Sequence, residues 1–258
     1  LKIWQTKKNE MIQVALDLLL EYFPTLREFL IIGAPSSILA FSYLFLAGIL
    51  KKYKKWRTGY TRKVFHFFVF ITASIVQAKL ALTGTIVFGT CVSIAVFYAI
   101  WKGDGNIFYE AMAREKDAPK RSYYIIAPFF ATLFAGIFSN ILFTLDGAAI
   151  GYLATGFGDA IGEPVGTRFG KHTYKVPSLS KVTSYRSYEG SLAVFIACFI
   201  AIGFGAMLLA LPISAILILK ILIIALATAI VEGISPHGWD NFTTQLVAAG
   251  LFYLLFIL

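Results

Sequence analysis

The stretch Gly158-Asp159-Ala160-Ile161-Gly162-Glu163-Pro164-Val165-Gly166-Thr167-Arg168-Phe169-Gly170-Lys171 sets two carboxylates, a proline and two cations among regularly spaced glycines, directly after an apolar run. At about 20 apolar residues per helical crossing, residues 146–166 are long enough to span a bilayer, so Asp159 and Glu163 fall within a span. An ionised side chain at that depth is expensive unless it is paired, hydrated or bound to a cation, and it marks a functional position by default. The alternative is an internal ion pair with a basic residue of another span.

Working outward, the whole chain has the composition of an integral membrane protein. Of its 258 residues, 58% are hydrophobic and 16% aromatic, and its mean hydropathy is strongly positive. The net charge of +9 does not point to nucleic acid, because the cations cluster between apolar runs as the positive-inside rule expects. Cys91 and Cys198 both lie inside apolar runs, so neither a disulfide framework nor a zinc site is implied.

The apolar runs predict an all-α, polytopic fold with spans near 29–50, 64–79, 80–101, 124–143, 146–166, 190–211, 213–232 and 241–258, about eight crossings. A tight turn joins the second to the third. Residues 1–28 hold Lys2, Lys7 and Lys8 and then an apolar stretch interrupted by Asp17 and Glu21, which fits an amphipathic helix on the membrane surface. No cleavable signal peptide is evident. Residues 29–258 then form a single transmembrane catalytic domain. The loop at 51–63 carries Lys51, Lys52, Lys54, Lys55, Arg57, Arg62 and Lys63 without an acid, so it is assigned to the cytoplasm. By alternation the loops at 102–123, 167–189 and 233–240 join it, and every polar constellation faces that side.

Several groups there could carry chemistry. Asp159 and Glu163, spaced i, i+4, share one helical face and are candidate metal ligands. Gly158, Gly162 and Gly166 permit close helix approach, a pattern of packing when taken alone. Pro164 removes a backbone donor and disturbs the preceding turn. Arg168, Gly170 and Lys171 offer two cations around a flexible glycine, suited either to phosphate oxygens or to topology anchoring, and Lys181 adds charge to the same loop. Arg186, Ser187, Glu189 and Ser191 open the sixth span, where a helix cap and an anion site can coincide. Arg62, Lys63 and His66 share a surface at the mouth of the second span. Glu232 ends the seventh span, and Asp240-Asn241 begins the last. Two groups of carboxylates beside basic residues describe a site for a divalent cation and a polyphosphate. Walker, kinase-loop and HExxH motifs are all missing.

Taken together, Arg62-Lys63-x-x-His66, the Gly158 to Lys171 segment, Arg186-Ser187-x-Glu189-Gly190-Ser191 and the late Glu232 with Asp240-Asn241 resemble the family of CTP-dependent lipid-alcohol kinases, which includes dolichol, phytol and farnesol kinases and the yeast-type diacylglycerol kinase. The resemblance covers about residues 60–245. It implies a membrane kinase that passes the terminal phosphate of a nucleoside triphosphate, usually CTP, to the hydroxyl of an isoprenoid or glyceride, with Mg²⁺ required. It further implies that Asp159 binds metal-nucleotide while Lys171 and Arg186 hold phosphates. Arg186 stands where a lysine is common before the Ser-x-Glu-Gly-Ser element, which keeps charge but alters geometry. His66 or a carboxylate could serve as base.

Two other readings remain. The related phosphatidate cytidylyltransferases share the Asp-glycine-basic segment and a later Glu-Gly-Ser, although their C-terminal Lys-Asp and His-Gly-Gly elements are lacking here. A cation transporter with glycine-broken helices would spread polar groups across the bilayer depth, whereas the polar groups here crowd at one face.

Overall fold

The computed structural model describes residues 2–177, 184–236 and 238–258. Helix α1 (Lys2–Tyr22) leaves Met11, Leu19 and Leu20 exposed. Helix α2 (Leu26–Lys52) starts with a capping box, in which Glu28 N–H donates to Thr25 Oγ1 at 3.3 Å and Thr25 N–H donates to Glu28 Oε2 at 2.8 Å.

The two apolar runs at 64–79 and 80–101 form one assigned helix, α3 (Thr58–Lys102), broken at Ala81, whose φ is +51°. That is the position of the expected tight turn, displaced by a residue or two. Phe65 to Phe70 and Val92 to Val96 line one and the same cavity. A straight helix would hold those segments about 40 Å apart, so the two halves of α3 fold back on each other.

A short helix α4 (Ile107–Glu110), capped by Asn106, leads through a 3-10 turn at Glu115–Asp117 to α5 (Tyr123–Leu142). Helix α6 (Leu145–Phe169) carries the acidic stretch and continues through Pro164. Strands β1 (Thr173–Val176) and β2 (Ser184–Ser187) form an antiparallel hairpin with Tyr174 opposite Arg186. This hairpin is where the described residues depart from the all-α expectation. Helices α7 (Tyr188–Leu208), α8 (Ala215–Ile234) and α9 (Asp240–Phe256) complete the chain. The chemistry of three caps is plain. Thr144, Ser187 and Ser214 each accept an N–H from the third residue beyond, at 3.0 to 3.1 Å.

Among the described residues α2, α3, α5, α7 and α8 are long and apolar enough to cross a membrane. Helix α6 is instead central: it packs against α3, α5, α7 and α9, and every residue from Gly147 to Gly156 is buried. Its glycines set the spacing to α7. A Cβ on Gly162 would run into Val194 Cγ2, and one on Gly158 would come within 3.0 Å of Cys198 Sγ. One apolar core gathers α2, both halves of α3 and Tyr109 to Ala113, and a second gathers α6 with α7, α8 and α9.

Candidate functional site

The polar ends of α3, α6, α8 and α9 and strand β2 surround a cavity of about 780 Å³. Volumes of this order enclose small-molecule ligands. One half of the charged lining comes from α3 and α6. The Lys63 ammonium, buried on all sides, donates to Asp159 Oδ1 and also reaches Glu163 Oε2 at 2.9 Å. Arg62 Nη2 lies 3.9 Å from the same Glu163 oxygen. His66 brings Nε2 to 3.3 Å from Asp159 Oδ2 without the geometry of a hydrogen bond, and its ring stacks on Phe70 with centroids 4.2 Å apart. The i, i+4 spacing of the two acids therefore meets the i, i+3 spacing of Lys63 and His66 on a neighbouring helix.

The other half comes from the hairpin and the last two helices. Arg186 Nη2 lies 3.0 Å from Asp240 Oδ2 and 3.3 Å from Glu232 Oε1. All three side chains are more than four-fifths buried, and among the described residues the buried Arg186 Nη1 has no partner. The guanidinium is thus pinned on one edge, and its second terminal nitrogen is a buried donor with no partner among the described residues.

Of the residues singled out from the sequence, Arg62, Lys63, His66, Asp159, Glu163, Arg186, Ser187, Ser191, Glu232, Asp240 and Asn241 all line this cavity. Ser187 is also the N-cap of α7, with its Oγ accepting Gly190 N–H at 3.1 Å. Others stand elsewhere. Gly158 faces Val194 and Cys198 in the helix seam, and Gly170 packs on Ser187. Arg168 lies over the Phe169 ring, 5.4 Å from its centroid, and Lys171 is exposed. Glu189 turns outward to His172 Nδ1 at 2.8 Å. Lys181 lies outside the described residues.

Acids and bases alternate so that each carboxylate lining the polar end already has a cation beside it. Among the described residues no group of three or more His, Cys, Asp or Glu side chains is close enough to hold a metal ion. The candidate metal ligands Asp159, Glu163, Glu232 and Asp240 stand as two pairs, the first around Lys63 with Arg62 and His66 beside it and the second around Arg186, while Asn241 bonds Thr132.

Three features were not anticipated from the sequence. The segment Arg114 to Tyr124 forms a further wall of the cavity, with Arg114 Nε held by Asp117 Oδ2 at 2.7 Å. The same segment is anchored by Arg121, which donates to Glu110 Oε2 and to the Ala113 carbonyl, each at 2.7 Å. The Arg121 bond and the Gly105 N–H offset the cost of burial and hold the Glu110 carboxyl below its ordinary value, and a hydrogen bond from Lys51 does the same for Glu115. Finally, uncharged polar side chains run deeper than the charges: Asn241 Nδ2 donates to Thr132 Oγ1 at 3.0 Å, Thr155 and Thr244 hydroxyls meet at 3.2 Å, and Gln77 Nε2 donates to Asn140 Oδ1 at 2.8 Å. For the last pair the signal was there, since Gln77 and Asn140 are each the lone amide of an apolar run.

The fold is helical, with five helices among the described residues long and apolar enough to cross a membrane, and its cavity is lined by both ionic and apolar side chains. Over 108 residues the chain is 32% identical to a phytol kinase of Synechocystis sp., an alignment that takes in 40% of this chain and 41% of that protein. The chain thus matches less than half the length of this relative. No family profile and no solved structure matches it.

Proposed function

We propose that the protein is a membrane-embedded kinase that transfers the terminal phosphate of a nucleoside triphosphate, CTP in the first instance, to the hydroxyl of a lipid alcohol of the isoprenoid type. The observation that carries this reading is the single cavity in which Lys63, Arg62 and Arg186 stand among buried carboxylates while Phe65, Val69 and Phe70 supply an apolar wall. A triphosphate needs the first surface and a lipid the second. The similarity to a phytol kinase supports the same class of reaction. The basic, acid-free loop at 51–63, with Lys51, Lys52 and Lys54, favours a cytoplasmic orientation of that end of the helices. The two halves of α3, together with α6 and α9, would bring the crossings to about eight, with residues 1–28 on the membrane surface.

In this reading Arg186 offers its unpartnered Nη1 edge to phosphate oxygens, and Lys63 and Arg62 neutralise the charge of the transferred group. Mg²⁺ characteristically takes one or two carboxylates and completes its shell with phosphate and water oxygens. Asp159 and Glu163 fit that role, since they lie one turn apart and already share a cation, Lys63. Bound there, the ion would supply neutralisation of the phosphate chain. His66, stacked on Phe70 and adjacent to Asp159, is positioned to accept the proton of the alcohol. Positioning and charge account for most of the rate, because phosphoryl transfer through a loose transition state asks little covalent work of the protein.

The test is to incubate the full chain in lipid nanodiscs with Mg²⁺, phytol and CTP labelled at the γ-phosphate. Labelled phytyl phosphate and CDP are expected, and Asp159→Asn should abolish both while leaving the thermal transition in place. Supplying phytyl phosphate instead and finding pyrophosphate would turn the assignment to cytidylyl transfer. Wild-type turnover of neither substrate would overturn the kinase reading.

A further inference from the structure

Helix α3 grades from ionic to apolar along one face. Arg62 and Lys63 lie at its first turns, His66 follows one turn on, and Val69 and Phe70 one turn further, all lining the same cavity. From Lys63 to Phe70 the descent is about 10 Å. With Phe70, the apolar lining includes Val92 and Val96, from the second half of α3, and Phe129 of α5, which all belong to one packed cluster. Phe70, Val92 and Val96 are all buried yet reach the cavity surface, so they form an inner wall rather than a rim.

His66 marks the boundary between the two regions. Its Nε2 edge approaches Asp159 at 3.3 Å while its ring face lies against Phe70. At the far side Phe129 meets Phe97 edge-to-face, centroids 5.3 Å apart, and Phe97 is exposed on the outer surface of the bundle. The apolar branch thus runs from the imidazole to an aromatic pair that adjoins the apolar exterior.

We infer that this branch, walled by Phe70, Val92, Val96 and Phe129, holds the hydrocarbon chain of the lipid alcohol with its hydroxyl at His66, and that Val96 and Phe129 set which chains are accepted. The inference rests on the kinase reading and deepens it by assigning the acceptor's subsite. No bond is made or broken there. Each methylene buried against such a wall strengthens binding roughly fourfold, so the branch distinguishes alcohols by the length of chain it can cover.

The test compares kcat/KM for phytol with that for prenol, an alcohol of one isoprene unit, in the full chain in nanodiscs. Val96→Trp fills the branch and is expected to lower the phytol-to-prenol ratio at least tenfold, while Phe129→Ala widens it and is expected to raise the ratio. Because the two variants move the ratio in opposite directions, a general loss of folding does not mimic the result. Ratios within twofold of wild type for both variants would overturn the inference while leaving the kinase reading intact. If the wild-type protein phosphorylates no alcohol, a phytol analogue with a diazirine in its distal half still decides the point. Crosslinking to residues 92–96 or 129 supports the subsite, and labelling elsewhere overturns it.

Discussion

The Arg186 guanidinium, carried by strand β2, stands 3.0 Å from the carboxylate of Asp240 at the first turn of α9. The contact ties the hairpin to the last helix across 54 positions of sequence, and Glu232 of α8 joins it at 3.3 Å. Among the described residues each of these acids forms its ion pair with Arg186. Arg186→Ala leaves two buried carboxylates side by side, and breaking a buried pair by removing one partner costs about 3–5 kcal/mol. A clear fall in Tm is expected, partly recovered by adding Asp240→Asn. Arg186→Lys should keep most of the stability and lose most of the phosphate transfer, because an ammonium cannot pin one edge and present another. Thermal melts beside labelled-CTP assays separate the two effects.

Lys63 occupies the space between Asp159 and Glu163 that a divalent ion would contest. In Lys63→Met the two carboxylates lose their shared ammonium, keeping Arg62 beside Glu163, and should bind Mg²⁺ without nucleotide. The variant is therefore expected to gain Tm on titration with Mg²⁺, by the mass-action rule for a ligand that binds only the folded state, while wild type gains less. Phosphate transfer should fall at least ~100-fold, on the scale of losing an electrostatic contact to the transition state. A variant whose Tm ignores Mg²⁺ would argue that this acid pair is not a cation site.

The seam between α6 and α7 gives a purely steric prediction. A Cβ at position 162 collides with Val194, so Gly162→Ala should cost about 1–3 kcal/mol through overpacking and lower Tm by several degrees. Adding Val194→Ala vacates that space and should restore most of the loss. Equal melting of the single and double variants would contradict the assignment of this glycine to the seam.

The segment between α3 and α5 is anchored by acids that lie outside the spans. Glu110 and Glu115 both have carboxyls lowered from 4.5, the first by Arg121 and Gly105 in spite of burial, the second chiefly by Lys51. A group whose value is lowered on folding adds stability above its unfolded value and loses that stability as pH falls through the folded one. Amide exchange in residues 103–122 is therefore expected to be slow and level near pH 7. It should quicken, after correction for intrinsic rates, once pH drops below about 4. Glu110→Gln should remove part of that pH dependence.

Much of the helical framework was legible in the apolar runs. The joint near residue 80 was visible as two runs too long for one crossing, and the structure puts the break at Ala81. The hairpin escaped notice because Thr173 to Val176 and Ser184 to Ser187 are four-residue strands embedded in a charged loop, too short to impose an alternating pattern. For the site, the sequence pointed to the acids and bases but not to their pairing. Lys63 and Asp159 are 96 positions apart, and only packing of α3 on α6 decides that this lysine faces that acid. The outward turn of Glu189 was equally hidden, since its partner His172 reaches it only through the hairpin. Arg168 and Lys171 looked like neighbours of Asp159 along the chain, but the end of α6 carries them past the cavity rim.

The glycines and the acids of α6 are offset by one residue, Gly158 before Asp159 and Gly162 before Glu163. One residue is about 100° around a helix. Turning α6 by that amount would drive both carboxylates into the seam lined by Val194 and Cys198, where burying a charge beside apolar side chains is costly. The helix is thus keyed like a shaft in a slot: its smooth side fixes its azimuth, and the aim of Asp159 and Glu163 follows from side chains that are not there.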